Sequence, residues 1–485
     1  MKNVFPGKEL LIVITFLIEL IIPSYSAAQT RDISIVIHLR GVYESNIDLL
    51  CLSGKKQFKS IANQKAIKNG ETAKINVSKE NLPGEFVLRF DYKEKPESSP
   101  YPSEKRIIIN DQDLELWVSP IYCNNPDSTW FQKDEKENSL FAEFSIENSK
   151  KKEKIGVLQS FLLNYDDPKS RFYRSGINEY EKRRKKYNEW LSSREEQDQS
   201  LFVSHLYRFQ FITKIHWEGT EADRVKSITD HYFDGFDFCD PLIIKSSQLN
   251  KWMDNYVNIY SRQATSPAIL DSLLPLAAIN SIGKAKKGHP LVYGWMVDYF
   301  YHGFETNSIT TGMKVLEPYI NDPNCLTTKR NEILQRLKGI ETLVPGSEAP
   351  DFTLSDPDGK LFDLKTYEAF SKYILLVFWS ADCSHCIATI NSLYPWQQQS
   401  DIQQKITVVD ISLDETDTEV VAWQKKVVTL NGWKHLHAKE GVNSKVAGDY
   451  FILSTPVMIL LDTNTKTILD MPINTDALKK FIGSH

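Results

Sequence analysis

The protein has 485 residues, a formal net charge of −5, 41% hydrophobic residues and 25% charged residues. A chain of this length predicts about three domains, because domains commonly have about 100–200 residues. Aromatic residues reach 11% and Gly and Pro number 21 each, which excludes a wholly disordered, a collagen-like or a low-complexity chain. The mild acidity gives no electrostatic reason to expect nucleic acid as a partner. Six cysteines are too few for a small disulfide-stapled scaffold, so their positions matter more than their number.

Residues 1–28 have the organisation of a secretory signal peptide. Lys2 and Lys8 precede an apolar run, and small residues lead to a cleavage site after Ala28. A membrane anchor is the alternative, but Glu19 would then lie inside the span. We expect cleavage near Ala28 and a mature chain without a transmembrane segment. The mature protein is then exported to the periplasm or cell envelope, outside the reducing cytosol.

The first predicted domain of the mature chain comprises residues 29–123. Apolar and polar residues alternate at 33–39 and 86–92, and glycines and prolines mark turns between the runs. Short strands at such intervals predict a small antiparallel β-sandwich. Nothing in this segment indicates catalysis, so we expect a binding or spacer module. The remaining predicted strands are 47–52, 72–77, 106–109 and 114–118.

Residues 124–343 change to a helical period and predict an all-α middle domain. Apolar residues at 155, 158 and 162 share one helix face, and a second helix repeats the pattern from Tyr173 to Leu191. The charged run 181–186 is compatible with an acidic partner, but a solvated helix face is the favoured interpretation. The aromatic-rich run 230–238 predicts a turn anchored in the core.

Residues 344–485 alternate between strands and helices, which predicts an α/β domain. The first three strands are strongly apolar, as expected for strands buried on both faces. The predicted strands are 373–380, 406–413, 457–462 and 467–470, and the predicted helices are 384–399, 416–430 and 475–482.

A Cys-x-x-Cys motif lies where the first apolar strand of this domain meets a helix. Cys383 falls at the helix N-terminus, where unpaired backbone N–H groups and the helix dipole favour a thiolate. Cys386 lies one turn further and can resolve a mixed disulfide, while His385 adds a titratable positive charge. The motif therefore predicts thiol–disulfide exchange with Cys383 as the attacking and Cys386 as the resolving cysteine.

Together with its surroundings, the motif resembles the thioredoxin superfamily and, more closely, the TlpA/ResA-like exported thiol–disulfide oxidoreductases. The resemblance implies that Trp379 packs beside the cysteines. It also implies a cis peptide between Thr455 and Pro456, which present a backbone edge to substrate. Implied partners are protein thiols or disulfides and a membrane electron donor, and we expect no cofactor and no metal. The matching residues are Gly346–Leu354, the turn Asp356–Gly359, Phe378-Trp379, Ser412-Leu413-Asp414 and Thr455-Pro456.

The order of a small β-domain, a helical domain and this C-terminal domain is also similar to envelope proteins of Gram-negative bacteria.

Three positions of this sequence differ from the family pattern. Val377 replaces a buried Asp of many thioredoxins, Thr389 replaces a Glu of ResA-like reductases, and Asn391 stands near the site of a frequent Pro. These departures leave the proton acceptor for Cys386 unidentified. The candidates are Asp382, Asp410 and Asp414.

Three alternatives to this chemistry are less favoured. The two cysteines with His435 and His437 would match a zinc site in number, although the histidines are expected far from the motif. A peroxiredoxin shares the Ala-Pro-Asp-Phe opening, but its Pro-x-x-x-Thr element is missing before Cys383. The strongest alternative is an envelope binding or scaffold protein with an accessory thioredoxin-like domain.

Two features oppose each other on the direction of electron flow. His385 before the second cysteine is typical of oxidising DsbA-like motifs, whereas the TlpA/ResA-like surroundings favour a reductase. Asp382 beside Cys383 opposes the thiolate if its carboxylate points inward. We expect a reductase with a potential between those of thioredoxin, about −270 mV, and DsbA, about −120 mV.

The other four cysteines lie outside the motif. Lone cysteines in apolar surroundings are most often buried and inert. In an oxidising compartment two pairings are open, and the sequence does not decide them. They are Cys51–Cys123 and Cys239–Cys325.

Overall fold

The computed structural model describes residues 31–54, 57–307 and 309–484. The predicted signal peptide lies outside these residues. Within the described ranges, no helix is both long enough and apolar enough to cross a membrane. The chain divides into two compact units, one built from residues up to 51 with 60–139, the other from 52–59 with 140–485.

The N-terminal region consists of two four-stranded sheets. One has the order β4-β1-β7-β8 and the other the order β3-β2-β5-β6. Apolar residues of both sheets belong to a single buried cluster. Alternation explains this burial, because Ile33, Ile35 and Ile37 of β1 all have 0% exposure while the residues between them are half-buried. The strands are β1 (Ile33–Leu39), β2 (Glu44–Ser53), β3 (Gln57–Lys68), β4 (Thr72–Val77), β5 (Gly84–Lys93), β6 (Tyr101–Ile109), β7 (Leu114–Val118) and β8 (Thr129–Phe131).

The prediction of a purely antiparallel arrangement is wrong for one pair. Strands β1 and β7 run parallel, with Ile35 opposite Leu114 and Ile37 opposite Leu116. Parallel pairing needs a long crossover, and the intervening strands of the second sheet provide one. Strands β3 and β8 were not predicted, since their sequences lack a clear apolar alternation.

The middle region is helical, as predicted. In α2, the tyrosines at 173, 180 and 187 and Leu191 form the buried face. The predicted aromatic anchor is confirmed, because the Phe233 ring packs 4.6 Å from that of Tyr256 and 5.3 Å from that of Trp252. The helices are α1 (Glu137–Asn164), α2 (Arg171–Gln197), α3 (Ser204–Tyr207), α4 (Glu221–His231), α5 (Ser247–Ser261), α6 (Pro267–Ala285), α7 (Pro290–Thr306), α8 (Thr310–Ile320) and α9 (Arg330–Thr342).

The C-terminal region is built on a seven-stranded sheet with the order β10-β9-β13-β12-β11-β14-β15. Strand β11 lies inside the sheet, where it pairs parallel with β12 and antiparallel with β14. The strands are β9 (Thr353–Ser355), β10 (Leu361–Asp363), β11 (Tyr373–Trp379), β12 (Ile406–Ser412), β13 (Lys434–His437), β14 (Val457–Asp462) and β15 (Ile468–Asp470). The helices are α10 (Ser384–Gln397), α11 (Ser400–Gln403), α12 (Asp417–Val427), α13 (Lys445–Asp449) and α14 (Thr475–Ser484).

Both faces of this sheet are covered, which explains the uninterrupted apolar sequence of β11. Its even-numbered residues, such as Phe378, belong to one buried cluster, and its odd-numbered residues, such as Trp379, belong to another. The second cluster also contains Cys386 and Ile390 of α10. The helix that carries the cysteine motif is therefore packed on the face to which Trp379 points.

Candidate active site

The two cysteines of the motif form a disulfide at the start of α10. Cys383 is the N-cap residue of the helix, and its extended backbone (φ −91°, ψ 110°) leads out of the loop that follows β11. The backbone N–H of Cys386 donates a 3.2 Å hydrogen bond to Sγ of Cys383. The Cα atoms of the bonded cysteines are 5.2 Å apart. Because helix N-termini leave N–H groups free, this donor is available to the sulfur of Cys383.

The two cysteines differ in exposure. Cys383 is partly exposed, whereas Cys386 has 0% exposure. Sγ of Cys383 lies 3.6 Å from the carbonyl oxygen of Thr455. The peptide bond between Thr455 and Pro456 is cis, which confirms the prediction made from the resemblance. An incoming thiol or disulfide therefore meets Cys383 first, beside the backbone of Thr455.

A buried carboxylate holds the loop between β11 and the motif. Asp414 accepts hydrogen bonds from Oγ of Ser380 at 2.6 Å and from the backbone N–H of Ala381 at 2.9 Å. Oγ of Ser412 donates a third, at 2.8 Å. Asp414 is 1% exposed. It was a candidate proton acceptor, and the structure places it as the anchor of the loop that carries Cys383.

The indole of Trp379 lies in the same buried cluster as Cys386, and the partly buried Cys383 packs against that cluster. Trp379 has 0% exposure, so its N–H needs a partner inside the protein. That partner is Oδ1 of Asp410, at 2.9 Å. The ring is thereby fixed on the side of the sheet that faces the motif.

The two other predicted tuning residues lie on the surface. Both His385 and Asp382 are exposed. The backbone N–H of Asp382 donates a 3.3 Å hydrogen bond to Oγ of Ser380, so the residue takes part in the loop through its main chain.

Two bonded polar side chains, the buried Asp410 and the half-buried His435, lie next to Trp379. Nδ1 of His435 lies 2.5 Å from Oδ2 of Asp410, and Nε2 lies 3.2 Å from the carbonyl oxygen of Leu430. Burial raises the pKa of the Asp410 carboxyl, and the hydrogen bonds from His435 and Trp379 oppose that shift. Sequence reasoning named both residues separately but did not pair them. The available signal was an ionisable residue inside an otherwise apolar strand.

The structure does not support the zinc alternative. His435 contacts Asp410, and Nε2 of His437 lies 2.8 Å from the carbonyl oxygen of Asp414, while Cys383 and Cys386 are bonded to each other. Among the residues that the structure describes, no three His, Cys, Asp or Glu side chains are grouped so that they would hold a metal ion.

Comparisons with known proteins concern mainly this region. The model of the AhpC/TSA family matches residues 345–470. The thiol-disulfide oxidoreductase ResA of Bacillus thuringiensis (strain Al Hakam) is 29% identical over 131 residues, which cover 26% of this chain and 69% of that protein, and ResA of Bacillus anthracis gives the same values.

Two solved structures match part of this chain. A thioredoxin-like protein from Bacteroides caccae is 18% identical, covers 55% of this chain and 95% of its own, and has a TM-score of 0.38. A thiol-disulfide oxidoreductase from Bacteroides fragilis is 26% identical, covers 28% of this chain and 98% of its own, and has a TM-score of 0.24.

The sheet order, the disulfide at the start of α10 and the similarity to ResA define the class of the C-terminal region. It is a thioredoxin-superfamily domain with thiol–disulfide oxidoreductase activity. Within that superfamily it is of the TlpA/ResA-like type, as the residues around the motif predicted.

Proposed function

We propose that this protein is an exported thiol–disulfide oxidoreductase that uses Cys383 and Cys386 to reduce disulfides of other proteins. The observation that carries the proposal is the unequal exposure of the bonded cysteines. Cys383 is partly exposed at a helix N-terminus, and Cys386 is buried beneath it. An exposed attacking sulfur with a buried resolving sulfur suits two successive exchange steps.

In the first step, the thiolate of reduced Cys383 attacks a substrate disulfide. A mixed disulfide forms, and one substrate sulfur leaves as a thiolate. In the second step, the thiolate of Cys386 attacks Cys383 and restores the internal disulfide, so that the second substrate sulfur leaves with its electron pair. The substrate gains two electrons and the protein loses two, and a thiol donor must then reduce the protein again.

Thr455 and Pro456 are the proposed substrate-binding residues. Both are partly exposed, and the Thr455 carbonyl lies beside Sγ of Cys383. An extended peptide around the substrate cysteine would meet this backbone edge while its sulfur reaches Cys383. Backbone recognition of this kind accepts varied sequences, which suits a protein substrate.

The direction of electron flow and the export of the protein are inferred from the amino-acid sequence. We keep reduction as the favoured direction, with electrons supplied by a thiol donor at the membrane. The signal peptide pattern of residues 1–28 supports export to the periplasm or cell envelope. For the N-terminal region, two sheets with a shared apolar cluster support the β-sandwich proposal.

Trapping experiments with single-cysteine variants test the function. Cys386→Ser should accumulate mixed disulfides with protein partners that are visible on non-reducing gels, because the resolving sulfur is missing. Cys383→Ser should trap nothing and should lose disulfide reduction in an insulin assay. Cys239→Ser is the matched control, since Cys239 is an exposed free cysteine outside the motif. Full activity of Cys383→Ser would refute the mechanism, and an empty Cys386→Ser trap would favour the scaffold alternative.

A further inference from the structure

We infer that Asp410 and His435 are positioning residues that together hold one buried proton, fix Trp379 against the cysteine couple, and make the redox equilibrium of that couple respond to pH. The inference rests on the proposed function, because it assigns a regulator to the same site. Asp410 is a buried carboxylate beside position 377 of β11, which is valine in this chain.

The first argument is the register of three neighbouring strands. Val377 of β11 lies opposite Asp410 of β12, and Asp410 lies opposite His435 of β13. Side chains at paired positions of parallel strands point to the same face of the sheet. Asp410 therefore lies beside Val377, with its carboxylate on the same side of the sheet.

Alternation along the strands identifies that side. Val408 of β12 and Trp433 before β13 belong to the cluster that contains Cys386, whereas Val409 and Leu436 belong to the cluster on the opposite face. Residues 410 and 435 follow the parity of 408 and 433. Asp410 and His435 thus project into the layer between the sheet and α10, where the resolving cysteine is buried.

The second argument is a count of protons. The carbonyl of Leu430 can only accept a hydrogen bond, so Nε2 of His435 is the protonated donor to it. The 2.5 Å contact between Nδ1 and Oδ2 of Asp410 needs a further proton between the two atoms. The pair is therefore neutral overall in this arrangement and becomes negative when the shared proton leaves.

The third argument is isolation from other charges. Asp410 has 0% exposure, and the His435 side chain is 16% exposed. From β11 the facing groups are Val377 and Trp379, from α10 Cys386 and Ile390, and from α12 Trp423 and Val427, of which only Cys386 is titratable. His437 of β13 is a further titratable group on this face, and its ring lies 4.9 Å from that of Trp423 while its Nε2 lies 2.8 Å from the carbonyl oxygen of Asp414. Tyr373 titrates too, but it lies at the far end of β11. The Asp414 carboxylate, beyond the end of β12, is held by Ser380, Ala381 and Ser412.

Because of these three features, the charge of the Asp410–His435 pair acts on the cysteines. A negative charge in this layer opposes a thiolate on Cys386, because charges interact strongly where water is excluded. Trp379 connects the two, since its indole bonds Asp410 and packs in the cluster with Cys386. The raised pKa of the Asp410 carboxyl agrees with this, because burial keeps the proton on the pair to a higher pH.

The test measures the redox equilibrium of the full chain against glutathione between pH 5 and pH 9. Asp410→Asn keeps the shape and both hydrogen bonds but cannot ionise. The ratio of the wild-type and variant equilibrium constants should change by about tenfold across this range, the effect of one pKa unit of coupling. His435→Gln should change the same profile, and Asp417→Asn, an exposed carboxylate at the start of α12, should follow the wild type at every pH.

A ratio that is constant with pH for both Asp410→Asn and His435→Gln would overturn the inference and leave only a structural role. If Asp410→Asn does not fold, the pH profile of His435→Gln alone decides between these outcomes. Failure of the proposed function is seen separately, because it would appear as activity in Cys383→Ser whatever the pH profile of the pair.

Discussion

Oγ of Ser380 donates a 2.6 Å hydrogen bond to the buried carboxylate of Asp414, and this bond joins the end of β11 to the segment that follows β12. The backbone N–H of Ala381 bonds the same carboxylate. The loop that presents Cys383 is thus fixed from the neighbouring strand. Its geometry depends on a residue that lies 34 positions beyond Ser380 in the chain.

Replacing Asp414 by Ala should destabilise the C-terminal domain. The change leaves the donors of the half-buried Ser380 and Ala381 and of the buried Ser412 without their acceptor, and we expect a loss of about 2–3 kcal/mol in the free energy of unfolding. Disulfide exchange should also slow, because the loop loses its anchor. Urea denaturation followed by tryptophan fluorescence measures the first effect. Asp358→Ala, which removes an exposed carboxylate from a turn, is the control and should change little.

Gly339 of α9 lies against Phe451 of the C-terminal region. A Cβ atom at position 339 would be 2.8 Å from Cβ and 3.0 Å from Cγ of Phe451, close to its backbone. Gly339→Ala should therefore destabilise the protein by about 1–3 kcal/mol, despite the higher helix propensity of Ala.

The matched control for Gly339 is Gly283 of α6, where an added Cβ would meet nothing within 4 Å. Gly283→Ala should stabilise the protein by about 0.5–1 kcal/mol. Thermal unfolding of both variants makes the comparison. An equal gain at the two positions would contradict the close packing of α9 on Phe451.

The cysteines outside the motif should differ in their reactivity. All four are free, so neither pairing left open by the sequence is present. Cys239 is exposed, while Cys325 is 1% exposed and burial raises its pKa to about 11. At pH 8, which is about three units lower, only about one Cys325 in a thousand is the reactive thiolate.

Iodoacetamide at pH 8 should therefore modify Cys239 rapidly and Cys325 very slowly in the native protein. Peptide mass mapping under non-reducing conditions gives both the rates and any disulfides. In urea, all four free cysteines should react. A peptide that joins Cys239 to Cys325 would show that this account of the helical region is wrong.

His385 is predicted to raise the reduction potential of the couple. A positive charge beside Cys383 favours its thiolate and so the reduced form, and about 30 mV corresponds to about 1.4 kcal/mol. His385→Pro should lower the reduction potential by about 30 mV. His385→Lys places a positive charge at the same exposed position and should not lower the potential. Equal potentials for the wild type and His385→Pro would show that the side chain is only a solvated residue of the first helical turn.

The sequence determined the features that depend on local pattern. Apolar alternation located β1 and β5, and continuous apolar runs located the buried strands β11, β12 and β14. The position of two cysteines at a strand-to-helix junction was enough to predict exchange chemistry, because the dipole and free N–H groups belong to any helix start. These features need only residues that are close together in the chain.

Only the tertiary structure decided the relationships between distant segments. Just after the predicted domain boundary at residue 344, the N–H of Gly346 bonds the carbonyl of Ile468 at 2.8 Å and so attaches that segment to β15. The parallel pairing of β1 with β7 and the pairing of Asp410 with His435 likewise depend on strand order and register. Register is set by how whole strands bury their apolar faces together, so no local pattern contains it.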